Sequence, residues 1–184
     1  MEKQILNISL VLFTILSSIV SIAQNRNDFI DLNKVSNVGL YFQDQINNYR
    51  YEKKKDSLTW SNTLEKVAHH HNLWMFMNNK LSHTETRKDK YFTGKTLTER
   101  INFITGGNEE LYCGENVQYF PFEPETPGEI TDDEAMMIAE LAFEYWKDSP
   151  GHNKNMLNPF ILHATTFIYH NQMVWATSVF SCRN

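Results

Sequence analysis

The stretch Trp146-Lys-Asp-Ser-Pro-Gly-His-Asn-Lys-Asn-Met-Leu157 cannot be one continuous helix. Pro150 restricts the residue before it and cannot continue a helical hydrogen-bond ladder, and Gly151 gives the chain freedom to turn. A helix arriving at Trp146 must therefore stop, and a short new segment starts with His152, Asn153 and Asn155. The rest of the chain is organised around this break.

Upstream, a polar lead runs from Gln24 to about Ser36. Val38, Phe42, Ile46 and Tyr49 then recur at helical spacing and predict a first helix. Leu58-Thr-Trp60 reads as a short extended link. Ser61 or Asn62 caps a second helix, with Leu64, Ala68, His71 and Met75 on its apolar face and Glu65 in capping-box position. Within His69-His-His71, successive helical side chains diverge by about 100°, so the three cannot converge on one ion. His71 lies on the apolar stripe as a hydrogen-bonded core residue, whereas His69 and His70 belong to the surface or its edge. Leu81 to Thr86, with His83, is a polar loop. Thr98 caps a short helix through Phe103 that Gly106 and Gly107 stop.

Leu111 to Phe120 predicts a strand carrying Glu115 near its start, with Val117 and Tyr119 on one face. Pro121 to Gly128 holds three of the five prolines and reads as a semi-rigid surface loop. Thr131-Asp-Asp-Glu134 is a capping box for a long helix with Ala135, Ile138, Ala142 and Tyr145 facing inward. Leu162–Tyr169 and Met173–Phe180 are β-rich runs joined by His170-Asn-Gln172, an antiparallel hairpin. Helices before, between and after a few antiparallel strands define an α+β fold, with helices covering a sheet.

The amino terminus is read separately. Lys3, an apolar run from Ile5 to about Val20 and then Ser21-Ile-Ala23 form a signal peptide, residues 1–23, cleaved after Ala23. An uncleaved anchor is the alternative, although Asn7, Ser9, Ser17 and Ser18 interrupt the run. Removing this segment deletes Glu2 and Lys3, so the net charge stays at −5. That mild acidity, with Lys53-Lys-Lys55 as the only basic cluster, argues against a nucleic-acid or anionic-membrane partner, and cleavage of the leader is expected to leave no membrane span in the mature chain. Export places Cys113 and Cys182 in an oxidising compartment. A bridge between them would close a loop of about 70 residues and contribute about 4 kcal/mol in the chain-entropy model; two unconnected thiols are the alternative.

The order Ile46-Asn-Asn-Tyr-Arg50, Leu58-Thr-Trp60, Ser82-His83, Arg100, Gly114-Glu-Asn116, Trp146, Ser149-Pro-Gly-His152 and Asn155-Met-Leu157 resembles the CAP superfamily of cysteine-rich secretory proteins, antigen 5 and pathogenesis-related proteins, in its bacterial SCP-like form. The resemblance implies a domain over residues 37–184 after a lead at 24–36. It implies an α-β-α sandwich, with a central antiparallel sheet covered by helices on both faces and a cleft above it. In better-studied members that cleft holds two His and two Glu. Residue by residue, they fall on His83, Glu115, Ser149 and His152, so Ser149 stands where a carboxylate is expected. The hairpin also departs from bacterial relatives at Ala164, Thr166 and Thr177-Ser178. The Pro-rich loop looks long, and is expected to overhang the cleft or bind a partner.

Two imidazoles, His83 and His152, can hold a divalent metal such as zinc. Glu115 would then be a third ligand, an orienting partner or a catalytic base. The leading expectation is a secreted or periplasmic binding module with an extracellular ligand such as a lipid, a peptide or a cell-wall component. A metal-assisted hydrolase of extracellular peptide or cell-wall material is the competing one. In a third reading the cluster is only a structural polar network.

Overall fold

The structure, a computed structural model, describes residues 28–108 and 112–182; the expected signal peptide lies outside them. Strand β1 (Ile30–Asp31) leads into α1 (Leu32–Val35) and α2 (Val38–Glu52), followed by β2 (Thr59–Trp60), α3 (Asn62–Asn78) and α4 (Leu97–Thr105). Then come β3 (Cys113–Pro121), α5 (Asp132–Asp148), α6 (Pro150–Leu157), β4 (Leu162–His170) and β5 (Met173–Ser181). The sheet order is β1-β4-β5-β3, with β2 parallel to β4 and every other pairing antiparallel. β4 and β5 join through Asn171 and Gln172, whose φ angles of 48° and 61° suit the tight turn that matches strand twist.

Because strand side chains alternate, the sheet has two inner faces. Phe167, Tyr169, Val174, Ala176, Phe180 and Phe120 meet α2, α5 and α6 in one core. Ala164, Val179 and Leu162 meet α3 and α4 on the other face, with Val117, Ile168 and Trp175 beyond them under the rest of α3. This is an α-β-α sandwich, and helices on both faces explain why β4 and β5 are almost wholly buried.

The helix boundaries follow local chemistry. Ser61 caps α3 by accepting from Leu64 N, and left-handed Asn79 (φ 52°) ends it. Thr131 and Glu134 complete the capping box of α5. Thr96, two residues before the expected Thr98, caps α4 through Glu99 N. The inward stripe of α5 passes through Ala139, Phe143 and Trp146; Tyr145 is half exposed, being 100° from Trp146 around the helix. The lead is less detached than its polarity suggests, since β1 extends the sheet beside Ile168 and Tyr169 and Leu32 is fully buried.

One further expectation is corrected and one open alternative is decided. The Pro-rich loop follows β3 at the hairpin end of the sheet, where Phe122 N donates to Gln172 O, and Glu115 lies at the opposite end of that strand. The loop therefore does not overhang the His83–Glu115 region. Cys113 and Cys182 are separate thiols. Cys113 pairs with Ser181, so alternation turns Cys182 to the other face: Cys113 packs with the α3/α4 core and Cys182 with the α2/α5/α6 core.

Two polar devices lock the α2 layer. Arg50, fully buried, donates to Asp56 O (2.7 Å), Met156 O (2.6 Å) and Asn158 O (2.9 Å), joining the end of α2 to the end of α6. His163 is also fully buried. Its Nδ1 donates to Gln43 Oε1 at 2.5 Å, while Nε2 is 2.8 Å from both Ser178 Oγ and Thr165 Oγ1. Serine, imidazole and amide are aligned here, but the assembly is sealed from solvent and holds the strands to α2.

Burial lowers the His163 pKa from 6.5 to about 3. A neutral ring in the fold and a protonatable one in the unfolded chain make stability fall as pH drops from 6.5 towards 3. Between pH 7 and pH 5, this group should remove about 2 kcal/mol. Urea unfolding at the two pH values should show that loss, and His163→Gln, if it folds, should flatten it.

Candidate functional site

The edge strand β3 brings the site together. Gly114 has no side chain because a Cβ there would sit 3.0 Å from Phe160 and 3.1 Å from Asn155. That clearance lets α6 dock on β3. Asn155 then donates to Glu115 O (3.1 Å) and Asn116 Oδ1 (2.9 Å), and Asn116 donates to His152 O (3.1 Å). Gly-Glu-Asn is thus one hinge-free joint: a clearance, a carboxylate and a tie to the His152 helix.

Glu115 is buried and both its oxygens are engaged. Oε2 accepts from Arg100 Nη2 at 2.5 Å, and Oε1 accepts from His83 Nδ1 at 3.0 Å, with His71 Nε2 at 3.7 Å. His71 is fully buried on α3, with Nδ1 3.0 Å from Glu85 Oε1 and Nε2 donating to Ser82 O at 2.9 Å. Glu85 also accepts from Thr93 N at 2.7 Å, so it closes the loop between α3 and α4. Arg100 donates to His83 O as well. His83 is therefore a loop residue on a fixed base, with its side chain 56% exposed.

His152 is half-buried on α6, its ring 6.4 Å from that of Trp146. It lies within electrostatic reach of His83. Ser149 joins α5 to α6; its hydroxyl caps neither helix, while its carbonyl accepts from Asn153 N. The sequence signals identified His83, Glu115 and His152 but not the roles of Glu85 and Arg100. The latent signal was Glu85 two residues after His83, which places both on the loop between α3 and α4.

The family profile "CAP: Cysteine-rich secretory protein family" matches residues 43–160, the span that contains His83, Arg100, Glu115 and His152. The chain belongs to this family. No match is found among curated proteins. Among solved structures, the chain is similar to an extracellular protein containing a SCP domain from Bacillus anthracis str. Ames, with TM-score 0.59 and 21% identity over 80% of this chain and 41% of that one. It is also similar to an outer surface protein from Borrelia burgdorferi, with TM-score 0.56 and 17% identity over 77% of this chain and 90% of that one. The chain thus spans under half of the Bacillus protein and most of the Borrelia protein.

In this CAP domain the electrostatics are uneven. Burial alone would raise the Glu115 pKa, but the charges of His71 and Arg100 and the hydrogen bond from His83 outweigh it and hold the carboxyl below 4.5. The same hydrogen bond raises His83 above 6.5, whereas burial, helped by the charge of His83, lowers His152. The site therefore holds a proton more readily on His83 than on His152. The signs for stability follow: the contribution of Glu115 is present above 4.5 and lost as pH falls through its lowered pKa. That of His83 is complete below 6.5 and lost as pH rises through its raised pKa.

A metal was tested against these residues. His83 Nδ1 held by Glu115 leaves Nε2 outward, the arrangement in which a carboxylate orients a ligating imidazole. Glu115 itself is committed to Arg100, and the expected second carboxylate is Ser149. Among the described residues, no three His, Cys, Asp or Glu side chains are grouped to hold an ion. The residues therefore offer at most two imidazole nitrogens, one fewer than the three protein ligands of a catalytic zinc site.

Ring NMR titration should place the pKa of His83 above that of His152. Glu115→Gln should bring His83 down while leaving His152 the lower of the two; an unmoved His83 would show that Glu115 does not set its charge.

Proposed function

We propose that this CAP domain is an exported binding module whose ligand engages His83 and His152 at the β3 edge. The observation that carries this reading is the saturation of Glu115. A carboxylate already bound to Arg100 and His83, and held ionised by them, is a poor general base, because proton abstraction would break both contacts. The available groups at the surface are imidazoles, one favouring its charged form and one its neutral form, suited to hydrogen-bonding an extracellular lipid headgroup, peptide or cell-wall fragment. Export is supported by the leader-like residues 1–23 and by two structural neighbours described as extracellular or outer surface proteins. Among the described residues, no helix is long and apolar enough to cross a membrane.

A metal-dependent variant of this reading is favoured by the outward Nε2 of His83. Zinc would supply Lewis acidity when bound, His83 and His152 would hold it and Glu115 would fix the His83 tautomer. With two imidazoles the affinity should be weaker than ~1 μM, about −8 kcal/mol.

Ring NMR with Zn²⁺ in one arm and soluble cell-wall fragments, peptides or lipid vesicles in the others tests both. Saturable shifts at His83 and His152 that disappear in His83→Ala support the binding site; silence in every arm removes it. Independently, mass spectrometry of the exported protein should find Gln24 at the amino terminus, and a retained leader would overturn the processing site.

A further inference from the structure

At the hairpin end of the sheet, the Pro-rich loop, the segment leading into β1 and the β4–β5 turn border a cavity of about 320 Å³. Ile30, Pro124, Pro127 and Tyr169 give it apolar walls, and Asp28 and Glu123 give it carboxylates. Glu115 lies at the other end of β3, so this cavity is separate from the His83 region. Its walls are tied together. Phe122 N donates to Gln172 O at 2.8 Å, Glu125 N to Glu134 Oε1 at 2.7 Å and Gln172 Nε2 to Glu123 Oε1 at 3.1 Å. Phe122, 7% exposed, roots the loop in the α2/α5/α6 core. A ligand entering a cavity fixed in this way has little of it left to order.

The charge of the lining is one-sided. No lysine or arginine occurs in the sequence between Arg100 and Lys147, and none lines the cavity. Asp28 and Glu123 are exposed, and neither enters an ion pair among the described residues. Glu125 and Glu129 in the same loop, and Asp132 and Asp133 in the first turn of α5, are exposed and equally without a cation. His170 also lines the cavity, its Nδ1 3.4 Å from Asp28 O. Tyr169 adds a donor. It is 8% exposed, and its hydroxyl accepts from Gln172 N but donates to no group among the described residues.

We infer that this cavity is a docking site for a basic peptide segment of a partner protein. An arginine side chain enters with its stem against Ile30, Pro124 and Pro127, its guanidinium meets Glu123 and Asp28, and a flanking peptide carbonyl accepts from the Tyr169 hydroxyl. The residue type follows from the lining: an apolar stem suits the prolines, and a planar fork of N–H donors suits carboxylate oxygens. An acidic segment would meet uncompensated carboxylates, and a purely apolar one would strip water from them without replacing its hydrogen bonds. The acids of the loop and of α5 extend the same negative field around the cavity, which favours approach of a cationic segment.

The test is an NMR titration of the exported chain with acetyl-Gly-Arg-Gly-amide, reading the Asp28 and Glu123 carboxylates and the Tyr169 ring. The same peptide with citrulline, which keeps the shape of arginine and lacks its charge, is the control. Saturable shifts with the arginine peptide that the citrulline peptide does not reproduce are expected. Glu123→Gln and Asp28→Asn, both at exposed positions, should each weaken binding severalfold and Tyr169→Phe by a smaller factor, while Asp133→Asn, outside the cavity wall, should leave it unchanged. Linear shifts or equal responses to the two peptides overturn the site. So does an equal loss in Asp133→Asn, which would reduce the effect to diffuse surface charge. Binding seen only in Arg26→Gln overturns it as well, because the occupant is then this chain's own amino-terminal segment.

Discussion

A guanidinium without solvent contact has to be neutralised by the protein around it, and Arg100 is such a group. Its Nη2 meets Glu115 and its Nε lies 3.9 Å from Glu85, so one cation of α4 is shared by β3 and by the loop after α3. Removing any member would leave a buried charge uncompensated, a loss on the order of 3–5 kcal/mol. His71 enters the same network from α3 and ties it to Ser82, next to His83. The exposed imidazole is thus the visible end of a four-part internal structure. What looks like a surface site is supported from the core.

The opposite layer solves a parallel problem with neutral acceptors. Arg50 spends its charge on the carbonyls of Asp56, Met156 and Asn158, which would otherwise be under-satisfied at a helix end and a loop. This fixes α6 from behind while Asn155 and Asn116 fix it from the front. His152 therefore sits on a short helix clamped at both sides. The two imidazoles come from different layers, and β3, the edge strand, is where the layers can meet without crossing the sheet.

How much of this was readable depended on the range of the signal. Helical periodicity exposed α2, α3 and α5, and the capping chemistry of Ser61 and Thr131 gave their starts within a residue, because both act within four positions. The β4–β5 hairpin was legible for the same reason. The Pro-rich loop failed as a cleft neighbour because composition says a segment is stiff but not at which strand end it lies. The choice between bridged and separate cysteines turned on parity: a single-residue offset between Cys113 and the partner of Cys182 puts them on opposite faces, and only the β3–β5 register reveals it. His163, Gln43 and Ser178 gave no signal at all, since their distances in sequence hide a contact made by three elements. Of the site, His83, Glu115 and His152 were visible through family resemblance, while Arg100 and Glu85 became meaningful only as partners.

The register also explains the difference between the two edges of this sheet. At β3, the carboxylate turned towards α3 and α4 meets a buried cation: Glu115 accepts from Arg100 Nη2. At β1, Asp31 projects to the same face but pairs at 3.1 Å with Lys34, whose side chain is 76% exposed, and stands 3.6 Å from His69, whose neutral form burial favours. One edge closes its charges internally and presents imidazoles outward. The other pairs its carboxylate with a solvent-exposed lysine. Since both arise from one face of one sheet, the contrast rests on the burial of the counter-cation: Arg100 has no solvent contact, whereas Lys34 is largely exposed and its pairing is screened.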